Sequence, residues 1–472
     1  MAARHVVLNV VGLSMGLLPR MQRLGAWASR RSVHAVAPML PGLTTSVQAT
    51  YTTGLDPSGH GIVANGWYDR ALAEVHFWKQ SNHLVGGEKL WDLLRRADPN
   101  ATGPAVANLF WWYAMYSGAD ITVTPRPCYP ADGRKIPDLW TNPSDLRDEL
   151  QRRFGPFPLF RFWGPAASIE STRWIAAAAL HVVERRGPRL TLVYLPHLDY
   201  PLQKLGPDHP AIDAELVALD GLLGEMIETL ESSGCAVTVL SEYGIEPVDG
   251  AVAVNEALRS AGFLAIRTEL GRELLDAGAS RAFAVADHQI AHVYVRDPRD
   301  LDAVVGGLAG VPGIAMILDR RLAPGAEDGL RRSLAGAGLD HARSGDLVLV
   351  AARRRWFSYR WWSDDRLAPD YARTVDIHRK PGYDPLELFI DPALRMPRLR
   401  IAWTLLRRRL GFRALMEVIP LDPALVRGSH GRIPEDPSLF PVLITRSRHG
   451  DAPVPATAIR DLILAETLSA MA

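Results

Sequence analysis

The sequence predicts an α/β fold: a mainly parallel sheet with helices on both faces. Two observations carry this prediction. Four short, valine-rich apolar segments at 5–12, 190–196, 236–242 and 291–295 read as strands buried on both faces. Amphipathic helical patterns at 211–234 and 252–263 lie between them, as parallel strands require. The 472 residues, 47% apolar and 22% charged, suffice for one large core with insertions, so residues 1–472 are read as a single α/β domain of catalytic type.

Each element has its own justification. The first segment, "HVVLNVVG", is β-branched and stops at Gly12, which reads as a strand and not as a signal peptide. The stretch "PGLTTSVQATYTTGLDPSGHGIVAN" (41–65) brings Thr44 through a Pro-Gly loop to the start of a short helix, where its hydroxyl is either a cap or a nucleophile. Residues 100–165, with "FWWY" and "FGPFPLFRFWGP", break the α/β rhythm and are expected to form an irregular cap or wall. Trp111, Trp112 and Trp163 there either enclose a ligand or fill the core. After the strand at 190–196 come His197, Asp199 and Gln203, and after 236–241 come Ser241, Glu242 and Tyr243. Between these, 211–234 places Leu216, Leu219, Leu222, Leu223, Met226, Ile227 and Leu230 on one helical face, with Gly234 as its stop.

A second insertion is expected at 345–427, opening on an aromatic-loaded hairpin or edge strand. It includes "TVDIHRKPGYDP", where Asp376 and His378 share a face if extended, and a Leu/Arg-rich helix at 399–410. That helix reads as a core face covered by Arg stems in preference to a membrane-surface element. Finally, "RGSHG" (427–431) sets His430 between glycines.

Charge and cysteines bound the partners. A net charge of +1 argues against a nucleic acid polymer as the main partner. Two cysteines, Cys128 and Cys235, without CxxC spacing fit a reducing compartment, and no 18-residue apolar stretch predicts a membrane span. A cytoplasmic location is therefore expected. In an open α/β sheet, functional groups gather beyond the carboxyl ends of strands, which is where Asp199, Gln203 and Glu242 fall.

The 41–65 stretch resembles the nucleotide pyrophosphatase/phosphodiesterase branch of the alkaline phosphatase superfamily. Pro41, Leu43 and Thr44 match its Pro-x-Leu-Thr loop. Thr53, Gly54, Leu55, Pro57, His60, Gly61 and Ile62 match the string that follows, and Asn65 the residue that binds a phosphoryl oxygen. The resemblance implies an alkaline-phosphatase-like core, Thr44 as nucleophile, and two metal ions that activate the hydroxyl and hold the opposite oxygen.

Most of the implied ligands are replaced. The first strand ends in Val11-Gly12 where the family has Asp-Gly, Asp-x-x-x-His has become Asp199 to Gln203, and Asp-His-Gly has become Glu242-Tyr243-Gly244. A phenol is a weak zinc ligand at neutral pH, so the site nearest Thr44 is expected to be empty. Asp199, His430 and the neutral oxygen of Gln203, with a rescuing ligand such as His378, leave room for at most one divalent ion, zinc being best suited, or none. His197 and His288 are lesser candidates for that third position. The expectation is a divergent hydrolase of phosphate esters, a phosphodiesterase or nucleotide pyrophosphatase on small phosphorylated or anionic substrates. In it, Thr44 is nucleophile, Asn65 oxyanion donor and Glu242 base. The alternative is a catalytically inactive member that binds an anionic small molecule or a partner protein.

Overall fold

The computed structural model describes residues 4–99, 102–131 and 134–471. Three of the four expected strands lie side by side in a nine-stranded sheet. Arg4–Val10 runs parallel to both Leu190–Leu195 and Cys235–Leu240, with every residue of the latter two buried. Beyond Leu190–Leu195 the sheet continues through Val106–Leu109, Ile121–Pro125 and the antiparallel Leu139–Asn142. On the other side, Val442–Thr445, Ser32–Ala37 and Val454–Pro455 complete it.

Helices Gln22–Ala28, Ile169–Arg186 and Ile212–Ser232 pack together against this sheet, as does a second group formed by Thr44–Thr53, Leu90–Ala97 and Ile459–Met471. The helix 212–232 buries Leu216, Leu219, Leu223, Met226, Ile227 and Leu230 of the face read from its periodicity, with Leu222 half-buried at its margin.

Four expectations are corrected. The 291–295 segment lies in a separate six-stranded, mainly antiparallel sheet in the order 282–287, 290–295, 347–351, 314–319, 331–333, 327–328. Leu347–Ala351 is interior to that sheet rather than an edge, and Arg355–Ser358 pairs in parallel with Gly250–Ala253 instead of closing a hairpin. Trp361 and Trp362 fill the second sheet's core. The 100–165 segment is no mere cap, because its strands 106–109, 121–125 and 139–142 belong to the main sheet. These are only four or five residues long and their turns carry proline and tryptophan, which dilutes any periodic signal.

The fourth correction concerns the Leu/Arg helix, Pro397–Arg409. It buries Thr404 alone, so it is not a core face. Among the described residues no helix is long and apolar enough to cross a membrane.

Candidate active site

The main-sheet strand ends and the hairpin turn of the second sheet meet at the floor of one cavity of about 750 Å³. Thr44 is the first residue of the helix 44–53, after Leu43 in extended conformation, so its hydroxyl sits among helix N–H groups. The loop that carries it is tied to the His430 loop twice. Gly42 N donates to Gly431 O at 2.9 Å, and His430 Nδ1 donates to Gly42 O at 2.7 Å. Gly428 seats that second loop against the helix that begins at Asp199, since a Cβ there would lie 2.2 Å from Leu202 O.

Asp199 and Gln203 are one helical turn apart, and Gln203 Nε2 donates to Asp199 Oδ2 at 2.7 Å. The other end of the Gln203 amide accepts from Tyr383 OH at 2.8 Å. The Tyr243 phenol lies between Thr44 and Asp199: it is 2.8 Å from Thr44 Oγ1 and donates to Asp199 Oδ1 at 3.3 Å. Its ring stacks on His430 with centroids 3.6 Å apart, His430 packs on His288 at 3.9 Å, and His288 on Tyr383 at 3.6 Å. Four rings thus run in sequence through the cavity floor.

Burial sets the charges. Asp199 is pushed up to about 7 by desolvation, against hydrogen bonds from Tyr243 and Gln203 that favour its carboxylate. Glu242 is pushed up to about 8 by burial, although Gln48 and Asn9 each donate to its Oε1 at 2.5 Å. Thr44 favours its ionised form to a lesser degree. At neutral pH Glu242 is therefore mainly protonated, and the expected base does not fit. Burial holds His430 and His288 well below the ordinary imidazole range, so both are neutral.

With Nδ1 of His430 donating to Gly42 O and Nδ1 of His288 to Asp287 Oδ1 at 2.7 Å, both Nε2 atoms are acceptors. Both are buried without a hydrogen-bond partner, in residues that line the cavity, and His430 Nε2 lies 3.7 Å from Asp199 Oδ1.

The structure brings Thr44, Asp199, Gln203, Glu242 and His430 together. Asn65 stands beside Thr44 but in another role. Its Oδ1 accepts from Thr45 N at 3.2 Å, and its own N and Nδ2 donate to Asp287 at 2.8 and 3.1 Å, which makes it a brace between loops. Asp376 and His378 lie in a turn instead of an extended strand. His378 Nδ1 donates to Phe77 O at 3.3 Å on the cavity wall, and His197 pairs with Glu215.

The donor set does not fit a metal. Val11 is aliphatic, both ends of the Gln203 amide are engaged, and the Tyr243 phenol bridges Thr44 and Asp199. Among the described residues no group of three His, Cys, Asp or Glu side chains could hold an ion.

Sequence reasoning missed Asp287 and Tyr383 and ranked His288 low. The signal available was the Asp-His pair at 287–288, which forms the turn between two paired strands and places His288 at φ +58°. The aromatic question has a split answer. Trp111 is core, whereas Trp112 and Trp163 line the cavity with Trp78 and Tyr200. Trp78 packs on Trp112 at 4.9 Å, and Trp163 on Tyr200 at 5.8 Å.

A family comparison covers most of the chain, from the first strand to residue 384, short of the His430 loop. The model of the type I phosphodiesterase / nucleotide pyrophosphatase family matches residues 5–384. The chain belongs to this family. A pyrophosphatase/phosphodiesterase of Schizosaccharomyces pombe, described as uncharacterized, is 24% identical over 226 residues, 46% of this chain. The match spans 40% of that relative's length.

Two solved structures share the fold. The phosphonoacetate hydrolase of Sinorhizobium meliloti aligns with a TM-score of 0.60 at 13% identity, covering 99% of this chain and 96% of its own. Murine ectonucleotide pyrophosphatase/phosphodiesterase 5, in complex with AMP, aligns with a TM-score of 0.58 at 14% identity, covering 99% and 95%. The alkaline-phosphatase-like core expected from the sequence is thus the fold of this family member.

Proposed function

We propose that this chain is a metal-free, ligand-binding member of the phosphodiesterase family, which does not hydrolyse phosphodiesters by a two-metal route. Its ligand is a small molecule with an aromatic or aliphatic body and a hydrogen-bond-donating end. The observation that carries the reading is the Tyr243 phenol, placed between Thr44 and Asp199 and stacked on His430. Phosphoryl transfer needs cations on the equatorial oxygens, whereas the cavity floor presents the carboxyl group of Asp199 and two neutral imidazoles, with Glu242 buried behind it.

Unpartnered Nε2 acceptors call for donors, which the ionised phosphodiester group itself lacks. The walls of Trp78, Trp112, Trp163 and Tyr200 suit an apolar body.

The test combines elemental analysis with turnover of a chromogenic aryl phosphodiester, with added zinc and with chelator. The expected result is well below one tightly bound divalent ion per chain, and turnover equal to that of Thr44→Ala. Thr44-dependent turnover that chelator abolishes, or about two ions per chain, defeats the proposal.

One observation favours a second reading, in which Thr44 remains a nucleophile without metal. The hydroxyl, the phenol and Asp199 form a continuous hydrogen-bonded chain, and an acid near 7 is suited to receive the proton that Thr44 loses. In that case ester turnover is chelator-insensitive, depends on Thr44 and falls in Tyr243→Phe.

A further inference from the structure

The helix 397–409 and the segments flanking it form an unpartnered surface with two distinct sides. Of the large hydrophobic residues that are exposed in this protein, eight fall within residues 396–415: Met396, Leu399, Trp403, Leu405, Leu406, Leu410, Phe412 and Leu415. The spacing of Leu399, Trp403, Leu406 and Leu410 sets them along one outward stripe. Helical geometry places Arg398 and Arg409 on one flank of the stripe, and Arg400 and Arg407 on the other. The opposite side, at Ile401, Leu405 and Arg408, lines the cavity.

The charge is one-sided. Between Leu394 and Ala414 there are seven arginines and no acidic residue. Arg400 pairs with Glu417 at 3.4 Å, Arg408 donates to Ala414 O, and Arg413 donates to Ala131 O. Arg395, Arg398, Arg407 and Arg409 have no side-chain partner among the described residues.

We infer that this surface docks onto an anionic lipid bilayer, with the stripe in the interface and the arginines at headgroup level. An apolar stripe flanked on both sides by long cationic side chains is the pattern of an interfacial helix, and thirteen residues are too few to span. Two copies of the same patch would bring unpaired arginines face to face, which disfavours a symmetric dimer. With the stripe in the interface, the helix stands between the bilayer and the cavity, whose wall its opposite side forms at Ile401, Leu405 and Arg408.

The test is co-sedimentation of the whole chain with phosphatidylcholine vesicles, alone or with about one third phosphatidylglycerol. The protein should bind the anionic vesicles and not the neutral ones, and raising salt to about 0.5 M should release it. Leu399→Glu with Leu406→Glu, and separately Arg398→Gln, Arg407→Gln and Arg409→Gln together, should each lower partitioning about ten-fold or more. Because these side chains are at the surface, circular dichroism and the thermal midpoint should not change. No partitioning at millimolar lipid, or equal partitioning of parent and variants, overturns the inference. So does a lipid-free dimer, seen by light scattering, that both variants dissociate, since the surface is then a protein interface.

Discussion

Glu242→Gln should stabilise the protein, and increasingly so as pH rises. Glu242 is buried, with an ordinary value of 4.5 raised to about 8. Its Oε1 accepts from Asn9 and Gln48, while Oε2, where a proton would sit, has no partner. A raised carboxyl value means that the folded chain keeps a proton which the unfolded chain releases. Stability contributed by the neutral acid is therefore full below about 4.5, falls with rising pH, and is spent above about 8.

Each pH unit in that window is worth about 1.4 kcal/mol, so the whole window amounts to about 5 kcal/mol, and about 3 kcal/mol by pH 7. Gln has the shape of the protonated acid, keeps an oxygen for Asn9 and Gln48, and does not titrate. Urea unfolding followed by tryptophan fluorescence at pH 5, 7 and 9 measures the gap between variant and parent. It should grow from under about 1 kcal/mol at pH 5 to about 5 kcal/mol at pH 9. A gap that is constant across this range, or a variant less stable than the parent at pH 9, refutes the assignment of Glu242 as a buried neutral acid.

Other substitutions probe the rest of the site. Tyr243→Phe keeps the stack on His430 but strips Thr44 and Asp199 of a partner; it should cost about 1–3 kcal/mol in urea unfolding. It should also raise the Asp199 value further, which a pH series of stability reads as a steeper loss above neutrality. Lys380, 2% exposed, bridges Asp384 and Glu387 at 2.7 Å each behind the cavity wall. Lys380→Met strands two buried carboxylates and should cost about 3–5 kcal/mol in the same assay. Gly428→Ala forces backbone against backbone at Leu202 O and should lower the thermal midpoint, with a loss of at least about 2 kcal/mol.

How much of this was legible follows from the kind of signal each part leaves. The central strands 4–10, 190–195 and 235–240 are buried on both faces, so their apolar runs announce them. The strand-end residues Asp199 and Glu242 were found because functional groups in this fold gather beyond strand ends, while the motif at 41–65 was found by its resemblance to the family and His430 by its glycine-flanked loop. The three short strands within 106–142 were not legible, and of the second sheet the strand 291–295 was read but not its pairing, because these partners are specified by long-range contacts and not by local pattern.

The roles of Asn65 and Glu242 depended on neighbours remote in sequence. Asp287 lies 222 residues from Asn65, and Gln48 lies 194 from Glu242. The helix 397–409 was misread because arginine stems fit either a covered core face or an interfacial stripe, and only its exposure separates the two.

The replacements around Thr44 make sense as a set. Two carboxyl groups at one buried site repel when ionised, and a pair of cations would ordinarily offset that cost. In the metal-free state proposed above the acids must hold protons, and burial displaces both in that direction. The imidazoles must then be neutral as well, and with one nitrogen of each tied to Gly42 or Asp287 they become acceptors packed between phenol rings. Tyr243 links both halves, since its hydroxyl reaches Thr44 and Asp199 while its ring closes the stack. Restoring an imidazole at 243 alone would not rebuild a metal site, because Val11 still offers no oxygen and the Gln203 amide remains engaged at both ends. Zinc should therefore leave the unfolding midpoint of Tyr243→His unchanged, and a zinc-induced rise of several degrees would show that the floor is still built around a metal.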